Sequence, residues 1–186
     1  MGRILLAGLI GGVLMFFWGF VAHELLPIGT AGFHFDATSP ATVAAVKAAF
    51  PQDGIYMVPG PNGDPKDEKV RQAWMDAANQ GPYAMVISRP GGADGNMGRQ
   101  LAIEFLSNFA AAFVAALLLS RAMIAQFGGR LLFVTAVGVA AWLSLTVSEW
   151  NWYRFPTDFT LASLADQAGG FFFAGLVIAA MVKPRD

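Results

Sequence analysis

Residues 4–25 read ILLAGLIGGVLMFFWGFVAHEL, an apolar run with no charged side chain before its last turn. About 20 mainly apolar residues are needed for a helix to cross the hydrocarbon core, and this stretch meets that length. Three further stretches do the same: 101–124, which carries Glu104 in its first turn, 131–150 and 160–182. Lipid offers no partner to a stray backbone amide, so each stretch is expected to be helical. The alternative for the first run is a cleaved signal peptide behind Arg3. Its length exceeds a signal core of about 7–15 residues, and Phe20 would stand where a small residue is wanted. It reads as an anchor.

The composition agrees with lipid as the solvent of the flanks. Of 186 residues, 55% are apolar and only 13% charged, about half the charged share of soluble domains. Just over half of the charges fall between Asp36 and Arg99. With no cysteine, disulfides and thiolate metal sites are excluded. A net charge of −1 gives no electrostatic case for nucleic acid.

Basic residues near the span ends set the orientation. Arg3, Arg121, Arg130, Lys183 and Arg185 share one side, with Asp186, while Arg154 stands in the short loop on the other. Both termini are therefore expected in the cytoplasm and residues 27–98 outside it. Trp150, Trp152, Tyr153 and Phe155 would then lie at the outer interface, where such rings collect.

The segment 27–98 has soluble-like chemistry. Ser39-Pro40 reads as a cap followed by proline in the first helical turn, with Val43, Val46, Ala49 and Phe50 continuing at helical spacing. Gly54–Val58 reads as a strand closed by the Pro59–Gly63 turn cluster. Asp64-Pro65 then opens a second helix through Val70, Ala73, Trp74 and Ala77, and Tyr83–Ile87 forms a second strand. Val43 and Val70, Gly54 and Gly81, and Tyr56 and Tyr83 are each 27 residues apart, which suggests two helix-then-strand units whose strands pair, against the alternative of chance similarity. So small a unit buries little core, to which Phe50 and Trp74 are assigned. Gly91–Asn96 is a return linker and not a phosphate loop, since no Lys-Ser or Lys-Thr pair follows it. His34-Phe35-Asp36 is read as solvated loop. The expected fold is thus an all-α membrane protein: a four-helix transmembrane bundle with a small α+β extracytoplasmic domain inserted between the first two spans.

Winding each span at about 3.6 residues per turn exposes a pattern. Gly8, Gly12, Gly19 and His23 form one stripe, with Glu24 beside it. Glu104, Asn108, Ala111 and Ala115 form another, and Ser163, Asp166, Gly170 and Ala174 a third, with Gln167 adjacent. On the third span Ser144 and Ser148 align, next to Thr146 and Glu149. Small residues permit close helix approach in lipid. The spans alternate in direction, so His23, Glu24, Glu104, Asn108, Glu149, Asp166 and Gln167 all gather at the outer end. The Met15–Phe20 stretch is taken as lipid-facing or packing material.

That gathering admits several readings. The residues are ordinary interface groups that specify packing, or they line a pocket for a lipid, quinone-like or other amphipathic molecule. A third reading is a divalent-metal site drawn from His23, Glu104, Glu149 and Asp166, although no Glu-x-x-His repeat supports it. Proton or ion conduction would need polar groups in the inner half as well, and these are lacking. No Gly-x-Ser-x-Gly elbow is present, so a conventional hydrolase is not expected, and no cofactor is indicated.

The opening residues 3–12, RILLAGLIGG, and residues 16–29, FFWGFVAHELLPIG, together with Tyr56–Gly60, resemble small bacterial membrane proteins of no assigned activity. The resemblance implies a bacterial inner membrane and says nothing of chemistry. The leading functional expectation is a non-enzymatic accessory protein that contacts a membrane-protein partner or a second copy of itself. The alternative is a membrane protein that binds a small amphipathic ligand or a divalent metal at the outer end.

Overall fold

The computed structural model describes every residue except Asp36, Asp94, Arg185 and Asp186. The chain is mostly helical and forms two compact units: Met1–His34 with the segment from Asn96 onward, and Phe35–Gly95.

The first unit contains α1 (Gly2–Phe20), which continues as a π-helical turn over Val21–Leu25, then α4 (Met97–Leu119), α5 (Phe127–Ser144), α6 (Thr146–Tyr153) and α7 (Thr157–Met181). Among the described residues four stretches are long and apolar enough to cross a membrane: Gly2–Leu25, Met97–Leu119, Phe127–Tyr153 and Thr157–Met181. Large apolar side chains such as Leu5, Leu9, Val13, Leu106, Val114, Leu132 and Leu176 point outward. That is the expected inversion for helices whose surroundings are hydrocarbon.

The helices meet through small residues. A Cβ placed on Gly8 would lie 2.7 Å from Phe113 Cα, and one on Gly12 would lie 2.6 Å from Phe109 Cα. Rising numbers on α1 therefore meet falling numbers on α4, and the two are antiparallel. The same logic joins α5 to α7, since Gly175 packs on Val134 and Gly138 on Phe171 and the Gln167 carbonyl. Gly11 lies against Ile178 and ties α1 to α7. The buried core between them is built of Ala112, Ala115, Ala116, Leu119, Val134, Ala174 and Ile178. Without a hydrophobic force between helices in lipid, this close van der Waals fit is what holds them.

Several expected boundaries move. The second span begins at Met97, because the Asn96 side chain accepts from Arg99 N at 3.0 Å, and it ends at Leu119 rather than 124. The third begins at Phe127, ahead of Arg130, and is interrupted at Leu145. The fourth spans 157–181 in place of 160–182. Arg130 is buried, and its guanidinium donates to the carbonyls of Ala179 (2.8 Å), Ile124 (3.3 Å) and Ala125. These are carbonyls that the end of α7 and the α4–α5 loop would otherwise leave unmatched.

The second unit contains α2 (Pro40–Ala49), β1 (Gly54–Val58), α3 (Glu68–Gln80) and β2 (Ala84–Ser88). Ser39 caps α2 by accepting from Thr42 N at 3.1 Å. The second helix starts later than Asp64-Pro65: Asp64 makes a local turn by accepting from Lys66 N, and Asp67 is the cap, accepting from Lys69 N at 2.8 Å. The strands pair antiparallel in the register Gly54↔Ser88, Tyr56↔Val86 and Val58↔Ala84. The helix-strand order repeats, but the 27-residue echo does not mark equivalent places. Gly54 opens a strand while Gly81 caps a helix, and Tyr83 precedes the strand that Tyr56 occupies. Phe50 packs on Tyr56 with ring centroids 4.9 Å apart, and Trp74 Nε1 donates to the Pro59 carbonyl at 2.7 Å. Both rings are half-buried, and among the described residues of this unit Ser88 alone is fully buried.

Candidate functional site

The site begins with the π turn. After Phe20 the backbone bonding shifts, and Leu26 N donates to Val21 O at 3.0 Å, five residues back. Such turns sit inside α-helices as local widenings and often accompany functional sites. This one carries His23 and Glu24. Pro27 follows, and the chain folds back so that Gly29 N donates to Ala22 O at 3.1 Å. The return lays Gly29 on the imidazole: a Cβ there would stand 2.5 Å from His23 Nδ1 and 2.7 Å from its Cα. Only glycine allows that approach.

The other ring nitrogen faces α7. His23 Nε2 lies 3.3 Å from Asp166 Oδ2, an ion pair when the ring is protonated and a hydrogen bond when it is neutral. One turn earlier on α1, Trp18 Nε1 donates to the Asp166 backbone carbonyl at 3.0 Å. The indole lies flat on Gly169, where a Cβ would come within 2.6 Å of the ring, and packs against Phe173 at 5.0 Å. A single residue of α7 is thus gripped twice from α1.

A cleft of about 730 Å³ opens beside this grip. Its polar lining is His23, Glu24, Glu104, Asn108, Asp166 and Gln167, and its apolar lining includes Met15, Phe16, Phe17, Trp18, Phe20 and Phe171. Ligand pockets commonly enclose about 300–1,000 Å³ with mostly apolar walls and a few polar groups. The α4 contribution is ordered by Asn108 Nδ2, which donates to Glu104 Oε1 at 3.1 Å. Gln167 Nε2 donates to Thr146 Oγ1 at 3.2 Å, tying α7 to the first residue of α6. Gly19 lines the cleft, and a Cβ there would meet nothing within 4 Å.

Six of the seven candidate residues therefore share one cavity, and Glu149 does not. The third span packs on α7 through Gly138 and Val134, whereas the described lining of the cleft comes from α1 with its π turn, α4 and α7. Among the described residues no three of His, Cys, Asp and Glu stand close enough to hold one ion. The metal quartet of His23, Glu104, Glu149 and Asp166 does not assemble. The Gly8–Gly12–Gly19 stripe also divides, because Gly8 and Gly12 pack on α4 while Gly19 faces open space.

Sequence reasoning missed Trp18 and Gly29, and it named Thr146 only as a neighbour of Glu149. Trp18 carried a usable signal, since an indole N–H within an apolar span needs an acceptor. Gly29 carried none at the level of pattern, because its partner is six residues back across a turn. Of the loop His34-Phe35-Asp36, Asp36 lies outside the described residues, as does Asp94 of the expected linker.

No protein-family model, curated protein or solved structure matches this chain. Its class rests on the fold itself: four helices of membrane-crossing length and apolarity make it a multi-pass membrane protein.

Proposed function

We propose that this protein binds a small amphipathic molecule in the cleft formed by α1, α4 and α7. One observation carries this reading: a cavity of about 730 Å³ whose walls divide into an aromatic part and a polar part. Phe16, Phe17, Phe20 and Phe171 offer a surface for a hydrocarbon tail. Asp166, Glu104 and Glu24 offer hydrogen-bonding groups to a head. Phe17 and Phe20 are themselves more than half exposed, which suits a ligand that enters sideways from a bilayer.

In this reading the four spans form one bundle in a bacterial inner membrane, with both termini in the cytoplasm. The Phe35–Gly95 unit is an extracytoplasmic insertion, and the cleft opens at the extracytoplasmic end. The basic residues Arg3, Arg121 and Lys183 at the opposite helix ends support that orientation. Isolation in a mild detergent followed by native mass spectrometry tests the binding. Wild-type protein is expected to carry a non-protein adduct, and Gly19→Leu, which fills the cleft, to lose it. Equal adducts on both would sink the reading.

A second reading is an accessory role through a membrane-protein partner or a second copy. Ile55 and Ile87, cross-strand neighbours on the two-stranded sheet, are 66% and 71% exposed in a unit of otherwise soluble character. An exposed apolar pair of that kind is a usual mark of a contact surface. A stoichiometric co-purifying protein, lost on Ile55→Lys, would favour it.

A further inference from the structure

The hydrogen-bond inventory of the cleft is lopsided. Each side chain that can donate from its wall makes a bond within the protein, and the Asn108 and Gln167 amides each keep a second N–H. His23 Nε2 is on Asp166 Oδ2, Trp18 Nε1 on the Asp166 carbonyl, Asn108 Nδ2 on Glu104 Oε1 and Gln167 Nε2 on Thr146 Oγ1. The remaining ring nitrogen, His23 Nδ1, is backed by Gly29. Among the described residues no lysine or arginine lines the cavity. The larger unspent capacity is on the acceptor side. Three carboxylates, Glu24, Glu104 and Asp166, line a space whose one balancing cation is His23 when protonated.

We infer that the ligand's head group is a hydrogen-bond donor carrying positive charge, and that the cleft takes a long-chain primary amine or another single-tailed cationic amphiphile. This rests on the reading of the cleft as an amphiphile site and goes beyond it by fixing the head. An ammonium presents three donors and no acceptor, which complements the free carboxylate oxygens. A phosphate or carboxylate head would meet three carboxylates with no lysine or arginine among the described lining residues, and such a mismatch rejects a ligand strongly. A quinone head offers only acceptors, so it could use the second amide N–H of Asn108 or Gln167 but would leave the three carboxylates unmatched. A fatty alcohol can donate one bond but brings no charge. Charge-assisted bonds are about twice as strong as neutral ones, so the amine is preferred.

The test uses full-length protein stripped of co-purifying lipid in maltoside micelles. It is titrated with hexadecylamine, hexadecanol and palmitate, with bound adducts read by native mass spectrometry. The amine is expected to bind saturably and about tenfold more tightly than the alcohol, with palmitate weaker still. Glu104→Gln, at an exposed position, and Asp166→Asn, which keeps a hydrogen bond to His23, should each reduce that preference severalfold by weakening hexadecylamine binding more than hexadecanol binding. If all three probes bind equally and Gly19→Leu blocks them all, the head assignment is wrong and the amphiphile site stands. If none binds saturably, both fall.

Discussion

Gly29 is the floor on which His23 rests: its missing side chain leaves room for the imidazole, and any Cβ there would stand 2.5 Å from Nδ1. The ring in turn reaches Asp166 across 143 positions of sequence. Gly29→Ala is therefore expected to push the ring off its carboxylate, even though alanine touches neither partner's charge. The measurement is a double-mutant cycle on unfolding. His23→Ala and Asp166→Asn should couple in the parent and lose that coupling in the Gly29→Ala background. Persistence of the coupling would refute the contact.

The glycines of α1 are expected to divide into two behaviours. Gly12→Ala forces the α4 backbone at Phe109 to move, because the new Cβ would lie 2.6 Å from Phe109 Cα. Overpacking of this kind costs about 1–3 kcal/mol. Gly19→Ala meets open space and should shift the thermal midpoint very little. Equal midpoints for the two variants would contradict the close α1–α4 approach.

Arg130 should be irreplaceable by truncation and only partly replaceable by lysine. Its guanidinium serves carbonyls from two segments at once, and a buried acceptor left without a donor costs about 1–3 kcal/mol. Arg130→Ala is expected to lower stability by at least that much in denaturant titration. Arg130→Lys should recover part of it, since an ammonium lacks the planar fork that reaches several carbonyls together. Full rescue by lysine would argue against the geometry.

Orientation is open to a direct test because the chain has no cysteine. A single cysteine at Asn62 is expected to react with a membrane-impermeant maleimide added to intact spheroplasts. One at Met123, 81% exposed in the α4–α5 loop, should react only after permeabilisation. The reverse result would place the cleft at the cytoplasmic face.

Much of the architecture could be read from the chain because hydrocarbon imposes simple rules. Four apolar runs of sufficient length were visible, and the alternation of their directions brought His23, Glu104 and Asp166 to one end on paper. The Ser39-Pro40 cap and the Gly54–Val58 strand were equally legible, since caps and turn clusters act locally. Glu149 lies off the cleft because the third span packs on α7 and supplies none of the described lining, a choice of helix partner that the winding of one span does not carry. The π turn escaped notice for a related reason: regular winding at 3.6 residues per turn cannot show a change in the winding itself. Trp18 was passed over as packing material, although its ring nitrogen, bound to the Asp166 carbonyl, is among the contacts that shape the cleft. Such pairings between helices depend on axial shift and rotation, which one sequence does not encode in any short window.

The burial of Arg130 has a mechanical corollary. It lashes the last turns of α7 to the segment entering α5, at the end remote from the hollow, where Gly11 and Ile178 also clamp α1 to α7. Arg130 does not bond to α1, so beside the cleft α1 is kept on α7 by Trp18, against the Asp166 carbonyl, Gly169 and Phe173, and by His23 on Asp166. A guest that displaced the imidazole would leave the indole alone to hold the two rods together at that level.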